Sequence, residues 1–167
     1  MSETRPKRGQ RSSADDDFED PLSNYSPAEY DGELDRALAE STVSAMQHTP
    51  VATISPDQTV ADVMQTMADN SYFGLLVVEE GKLIGIFTER DVLNKIVDEY
   101  NTKKNHPIRL YMTPDPVRVY NTDCPAKAIN VMAVGGFRRV PVLDMEDGVV
   151  GIIGPKRTVR FLQKYIE

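Results

Sequence analysis

Residues 85–91, GIFTERD, hold the most chemically suggestive spacing in the chain. Gly85 permits close approach of another group to the backbone. Thr88 falls where an apolar strand gives way to a helix. Its hydroxyl can cap that helix, and the unpaired amides of the first turn favour an anion. Asp91, three positions on, is acceptor-only when ionised and can take two hydrogen bonds from the adjacent hydroxyls of a ribose. The same residues also suit an ordinary cap, with Glu89 and Asp91 complementing the helix dipole. Residues 151–157 fill the equivalent slot with GIIGPKR. There Gly154 stands where the hydroxyl was and Arg157 where the carboxylate was.

Such a device needs a strand to deliver it and a helix to follow, and the chain supplies both twice. Met46 to Val51 aligns with Met112 to Val117, and each lead-in precedes a short β-type run, VATI and VRVY. Helical spacing follows: Val60, Val63, Met64 and Met67 in one copy, Ala126, Ile129, Met132 and Ala133 in the other. Two apolar strands around a glycine turn come next, FGLLVVEEGKLIGIF and RRVPVLDMEDGVVGII. A closing helix ends each copy, marked by Val92, Leu93, Ile96 and Val97, and by Val159, Leu162 and Ile166. The order β-α-β-β-α, twice, predicts an α+β fold of tandem repeats. A unit of about sixty residues buries too little surface to stand alone, so the two copies are expected to pack sheet to sheet.

The rest of the chain divides around these repeats. Residues 1–25 mix basic and acidic runs with almost no aliphatic side chains and read as a disordered tail. Ser26-Pro27-Ala28-Glu29 carries a capping hydroxyl, a proline and a capping-box glutamate, predicting an amphipathic helix over 26–41 with Tyr30, Leu34, Ala37 and Leu38 on one face. Repeat 1 is placed at 42–100, a polar linker at 101–107 and repeat 2 at 108–167.

Charge and composition exclude several function classes. Residues 1–40 hold 11 acidic and 5 basic side chains, against 15 and 14 in residues 41–167. The net −7 is therefore mostly the tail's, and no nucleic-acid or membrane surface is expected from bulk charge. Cys124 is the single cysteine, and His48 and His106 are far apart, so no disulfide framework or metal site is expected. No spanning segment or signal-peptide core is legible, and the expectation is a soluble cytoplasmic protein.

With the GIFTERD segment, the MTPDPV lead-in and the LLVVEE and VPVLD strands in matched positions, residues 43–167 resemble a CBS-domain pair. That resemblance implies a pseudo-twofold pair with two clefts between the copies, regulatory rather than catalytic. It also implies a ligand containing adenosine: AMP, ADP or ATP, with S-adenosylmethionine admitted too. In one cleft it assigns the ligand to Ile86, Thr88 and Asp91, completed from the other copy by Val117, Arg118, Arg138 and Arg139. Arginine forks suit phosphate; the alternative is a solvated face or a pair with Asp144. In the other cleft Gly154 and Arg157 remove the ribose acceptor, and Phe73 and Gly74 stand where a cationic grip would be. One nucleotide per chain is therefore expected. GPKRTVRFL is also similar to the second repeat of the γ subunit of AMP-activated protein kinase, which adds Lys156 as a phosphate contact, although that motif's hydroxyl is lost here.

The expectation is a non-catalytic sensor of one adenine nucleotide. It requires no cofactor, forms a homodimer through apolar surface on the closing helices, and acts on a separate, unidentified protein. The alternative is a ligand-free CBS dimerisation or protein-interaction module. No Ser-His-Asp order, P-loop or second acidic group beside Asp91 supports an enzyme.

Overall fold

The computed structural model describes residues 28–46 and 52–166. The expected tail, the capping pair at 26–27 and lead-in residues 47–51 lie outside them. Helix α1 spans Glu33–Glu40, shorter than the helix expected over 26–41, and residues 28–30 are not helical. Gly32, in extended backbone, is the N-cap and offers no side chain to close the first turn. Glycine favours helix by about 1 kcal/mol less than alanine, so the start falls just after it. The buried face carries Ala37, with Leu38 half-buried, into the core of the second repeat.

The first repeat comprises β1 (Thr53–Ile54), α2 (Val60–Asn70), β2 (Gly74–Glu79) and β3 (Lys82–Thr88). Its closing helix begins as α3 (Glu89–Asp91) and passes through a π-helical turn, Val92–Ile96, and a 3-10 turn, Val97–Glu99. It ends as α4 (Tyr100–Lys103). Thr59 caps α2 by accepting the Asp62 amide, and Val60, Val63 and Met67 bury the predicted face. β1 pairs parallel with β2, and β2 antiparallel with β3. The alternation of side chains along β2 sends Leu75 and Val77 into this core, while Leu76, equally buried, points to the opposite face.

The second repeat runs through β4 (Thr113–Pro114), β5 (Val119–Tyr120), α5 (Pro125–Gly135), β6 (Val140–Leu143), β7 (Val149–Ile153) and α6 (Pro155–Leu162). Its sheet has the order β5-β6-β7, with β5 parallel to β6 as β1 is to β2. On α5 the buried face is set by Pro125 and Ala128, with Ile129 and Met132 half-buried, whereas Ala126 and Ala133 are exposed. The expected face is therefore rotated. Alanines carry so little apolar area that their spacing fixes a face poorly.

The two repeats exchange their lead-ins. β4, from the second, pairs antiparallel with β3 of the first and extends that sheet to β1-β2-β3-β4. Ile108 is fully buried in the first core, while Val43 and Met46 are buried in the second. The backbone repeats the symmetry. Ile108 and Arg109 amides donate to Gln58 and Pro56 carbonyls at 2.8 and 3.0 Å, and Val43 and Ser44 amides donate to Asp123 and Asn121 at 2.7 and 3.2 Å.

The polar stretch read as a linker at 101–107 is built into the first repeat. Its first residues are still helical, and its Lys104 and His106 carbonyls accept the amides of Ala61 and Val60 at 2.9 and 3.0 Å. A helix start leaves such amides without internal partners, so a polar segment with free carbonyls docks there. Ile108→Ala should therefore cost about 2–5 kcal/mol of stability in urea unfolding, the range for emptying a packed core site. A loss below about 0.5 kcal/mol, the surface range, would show the exchange to be loose.

Candidate functional site

Strand β3 ends at Thr88, in extended backbone, and the chain turns into α3 within one residue, carrying Asp91 back beneath the strand end. The Asp91 carboxylate is buried, with a side-chain exposure of 7%. Its Oδ2 accepts the Thr88 amide at 2.9 Å and the Thr88 hydroxyl at 2.8 Å. Its Oδ1 accepts the Thr113 hydroxyl at 2.9 Å and pairs with the Lys95 ammonium at 2.7 Å. Lys95 also donates to the Tyr111 carbonyl at 2.8 Å. Four donors thus come from the strand end, the closing helix and the lead-in of the other repeat.

Burial by itself would push this carboxyl's pKa up. The hydrogen bonds from Lys95, Thr88 and Thr113 outweigh it and hold the group below the usual aspartate range. The expectation that free first-turn amides draw an anion here is not met. The Thr88 amide is spent on Asp91, and the Glu89 amide donates to the Phe73 carbonyl at 3.2 Å. Gly85 also has a different use, since a Cβ there would collide with the Met112 thioether of the exchanged lead-in. The glycine admits the other repeat, not a ligand.

Above Asp91 lies a cleft of about 300 Å³, walled by Ile86, Thr88, Glu89 and Leu93 from the first repeat and by Thr113, Val117 and the 137–139 segment from the second. It brings together six of the eight expected residues: Ile86, Thr88, Asp91, Val117, Arg138 and Arg139. Arg118 instead pairs with Asp115 at 3.0 Å and is not among the lining residues. Lys156 lies in the second cleft. Asp144 does not hold the arginines either, because its Oδ1 accepts the Glu146 and Gly148 amides within its own turn.

Thr113, Phe137 and Glu89 in the lining, and Lys95 beside it, were not among the expected site residues. Thr113 and Lys95 anchor Asp91, yet they stand in an ordinary lead-in and on a helix whose turns are partly π-helical. Phe137 lines the cleft, 40% exposed, and packs across Gly135, where a Cβ would collide with its ring. An exposed aromatic immediately before two arginines was the available signal. Glu89 also lines the cleft, and its Oε2 is buried with no hydrogen-bond partner among the described residues. A buried acceptor left unmatched is costly and calls for a donor.

The second cleft, about 340 Å³, differs from expectation. Phe73, Gly74, Gly154 and Arg157 line it as expected, but Arg139, Lys156 and Arg160 line it too. It lacks the carboxylate but not cationic groups. The alignment missed them because they come from the second repeat itself.

The CBS domain model matches residues 43–98 and 108–164. This chain belongs to the CBS domain family. Among its relatives is the CBS domain-containing protein CBSCBSPB5 of Arabidopsis thaliana, 29% identical over 64% of this chain and 20% of the relative. Inosine-5'-monophosphate dehydrogenase of Methanocaldococcus jannaschii is 38% identical over 62% of this chain and, again, 20% of that enzyme. The chain thus spans about a fifth of the length of these curated relatives. CBSX2 of Arabidopsis thaliana, solved in complex with AMP, superposes with a TM-score of 0.63 at 24% identity, covering 74% of this chain and 96% of that one. The fold is that of a CBS pair. No helix among the described residues is long and apolar enough to cross a membrane.

Asp91→Asn should lower stability by about 2–4 kcal/mol at pH 7, since it removes a buried charge and leaves charge-assisted donors unmatched. Asp91 is depressed in the folded chain, so its contribution is fully present above the unfolded value of about 3.9 and is lost as pH falls through the lower folded value. Urea unfolding of the two proteins should differ by a constant amount from pH 5 to 7 and converge below pH 4. A gap that stayed constant down to pH 2 would contradict the ionised network.

Proposed function

We propose that this CBS pair is a cytoplasmic, non-catalytic regulatory module that senses one adenine nucleotide in the Thr88/Asp91 cleft. The observation that carries this reading is the pair of acidic acceptors at one inter-repeat cleft: Asp91, held ionised, and Glu89, with a buried oxygen unmatched among the described residues. A ligand suited to it brings hydroxyl or amino donors, an apolar ring and an anion. A nucleotide has all three. Ribose hydroxyls meet Asp91, the base lies between Ile86, Val117 and Phe137, and the phosphate faces Arg138 and Arg139. CBSX2, which shares the fold, was solved with AMP, and that supports the class of ligand.

Regulation follows from what Asp91 already holds. A ribose that takes Oδ1 competes with Thr113 of the exchanged lead-in and with Lys95 of the closing helix. Binding therefore shifts the lead-in against the helix, to the extent that ligand affinity differs between the two arrangements. The saturation of Asp91 is also what a ligand-free interaction module would show, so the two readings part at binding itself. Exposed Leu93 and Val97 on one closing helix, and Val159 and Ile166 at the other, are apolar surface that a homodimer would bury. The regulated protein would be a separate partner.

Calorimetry with adenosine and AMP tests the site. Phe137→Ala should weaken both ligands alike by about tenfold or more, the loss of one base–aromatic stack. Arg138→Ala should weaken AMP alone and flatten its salt dependence, because a screened charge contact is gone. Asp91→Ala should weaken both by about tenfold to a hundredfold. Wild-type protein that binds neither ligand would leave the interaction-module reading standing. Light scattering is expected to give twice the 18.7 kDa chain mass, and a monomer at tens of micromolar would contradict the dimer.

A further inference from the structure

In the second cleft the hydroxyl-and-carboxylate motif has been converted rather than merely lost. Gly154 occupies the slot of Thr88, and a Cβ built there would fall 2.9 Å from Arg139 Nη1 and 3.0 Å from the Arg138 carbonyl. The missing side chain is what lets the Arg139 guanidinium into this hollow. There it donates to the Arg138 carbonyl at 2.7 Å and lies 5.1 Å from the centre of the Phe73 ring. Arg157 occupies the slot of Asp91, and Lys156 and Arg160 complete the wall from the same helix. At the two diagnostic positions, Arg157 exchanges an acceptor for a donor and Gly154 makes room for one.

Arg139, Lys156 and Arg160, three cations from two segments, thus flank about 340 Å³ beside Arg157, and none of the described lining residues is acidic. Among the described residues, Arg139, Lys156 and Arg160 pair with no carboxylate. The overall charge is no explanation, since residues 41–167 carry 15 acidic against 14 basic side chains. Clustering like charges in a concave site is unfavourable unless an anion offsets it. The first turn of α6, which has no capping side chain at Gly154, opens onto the same hollow and adds its dipole.

We infer that the second cleft is a phosphoanion site, taking a diphosphate or longer phosphate chain and making no use of a ribose diol. Arginine forks and a lysine point charge are the donors suited to such a chain. Two sources share that chemistry. One is a free diphosphate, and the other is the phosphate tail of a ligand in the first cleft, reached through Arg139, which lines both. A free diphosphate needs nothing in the Thr88/Asp91 cleft, whereas the tail rests on the nucleotide proposed there.

The test is calorimetry of the full chain with pyrophosphate, adenosine, AMP and ATP in magnesium-free buffer, using wild type and Lys156→Ala/Arg160→Ala. Both substituted side chains are exposed, and an unchanged melting temperature verifies the fold. For the free anion, pyrophosphate should bind wild type and weaken at least tenfold in the double variant, with adenosine unaffected. For the tail, pyrophosphate should not bind alone, and ATP should weaken at least tenfold more than AMP. Adenosine binding reports separately on the first cleft, so its absence would sink the nucleotide reading while leaving the pyrophosphate result decisive here. Pyrophosphate and ATP both binding the double variant as they bind wild type, or neither binding wild type, would overturn the inference.

Discussion

An ionised carboxylate removed from water must find partners for all its lone pairs, and Asp91 finds them in three separate segments. Thr88 supplies an amide and a hydroxyl from the end of β3, Lys95 an ammonium from the closing helix, and Thr113 a hydroxyl from the exchanged lead-in. Without Asp91, Thr88, Lys95 and Thr113 would each lose that acceptor. The position of β4 on the edge of the first sheet, and so the wall of the cleft, is tied to this one group. Because Lys95 is partly exposed, solvent weakens the ion pair itself. The uncharged hydroxyls and the amide do as much to fix the geometry.

The same economy explains the exchange. Each repeat is too small to close its own core, and each borrows what it lacks. Ile108 and β4 complete the first, and Val43, Met46 and Ala37 the second. Backbone groups that would otherwise be stranded at element ends are paired by the incoming segment, in matching positions of the two copies. The clefts lie where one copy's motif meets segments of the other, so any ligand there spans both repeats and can bias how they sit.

Much of this was legible in the amino-acid sequence. Val60, Val63 and Met67 gave α2 its buried face through helical spacing, and the strand pairs followed from their apolar runs around glycine turns. Thr88 and Asp91 were readable because their chemistry depends on a local spacing of three. What lay hidden depended on distant pairing. Nothing in an isolated lead-in marks Thr113 as a partner of a carboxylate 22 positions earlier. EYNTKKNHP looks like a solvated linker because its docking uses carbonyls, which every residue type carries. Arg118 and Lys156 stand at expected positions in the alignment, yet side-chain direction sends one to Asp115 and the other to the second cleft. Gly154 looked like a deletion and is instead a space for an arginine.

The central claim is that Asp91 reads a ribose diol, exchanging protein donors for ligand hydroxyls. Comparing thermal unfolding of the wild-type chain in adenosine and in 2'-deoxyadenosine tests it most directly, because the two ligands differ by one hydroxyl and carry no phosphate. Only a ligand that binds the folded state raises the midpoint with concentration. The account predicts a rise with adenosine and a rise at least several-fold smaller with the deoxy form at equal concentration. Equal shifts with the two nucleosides would contradict it.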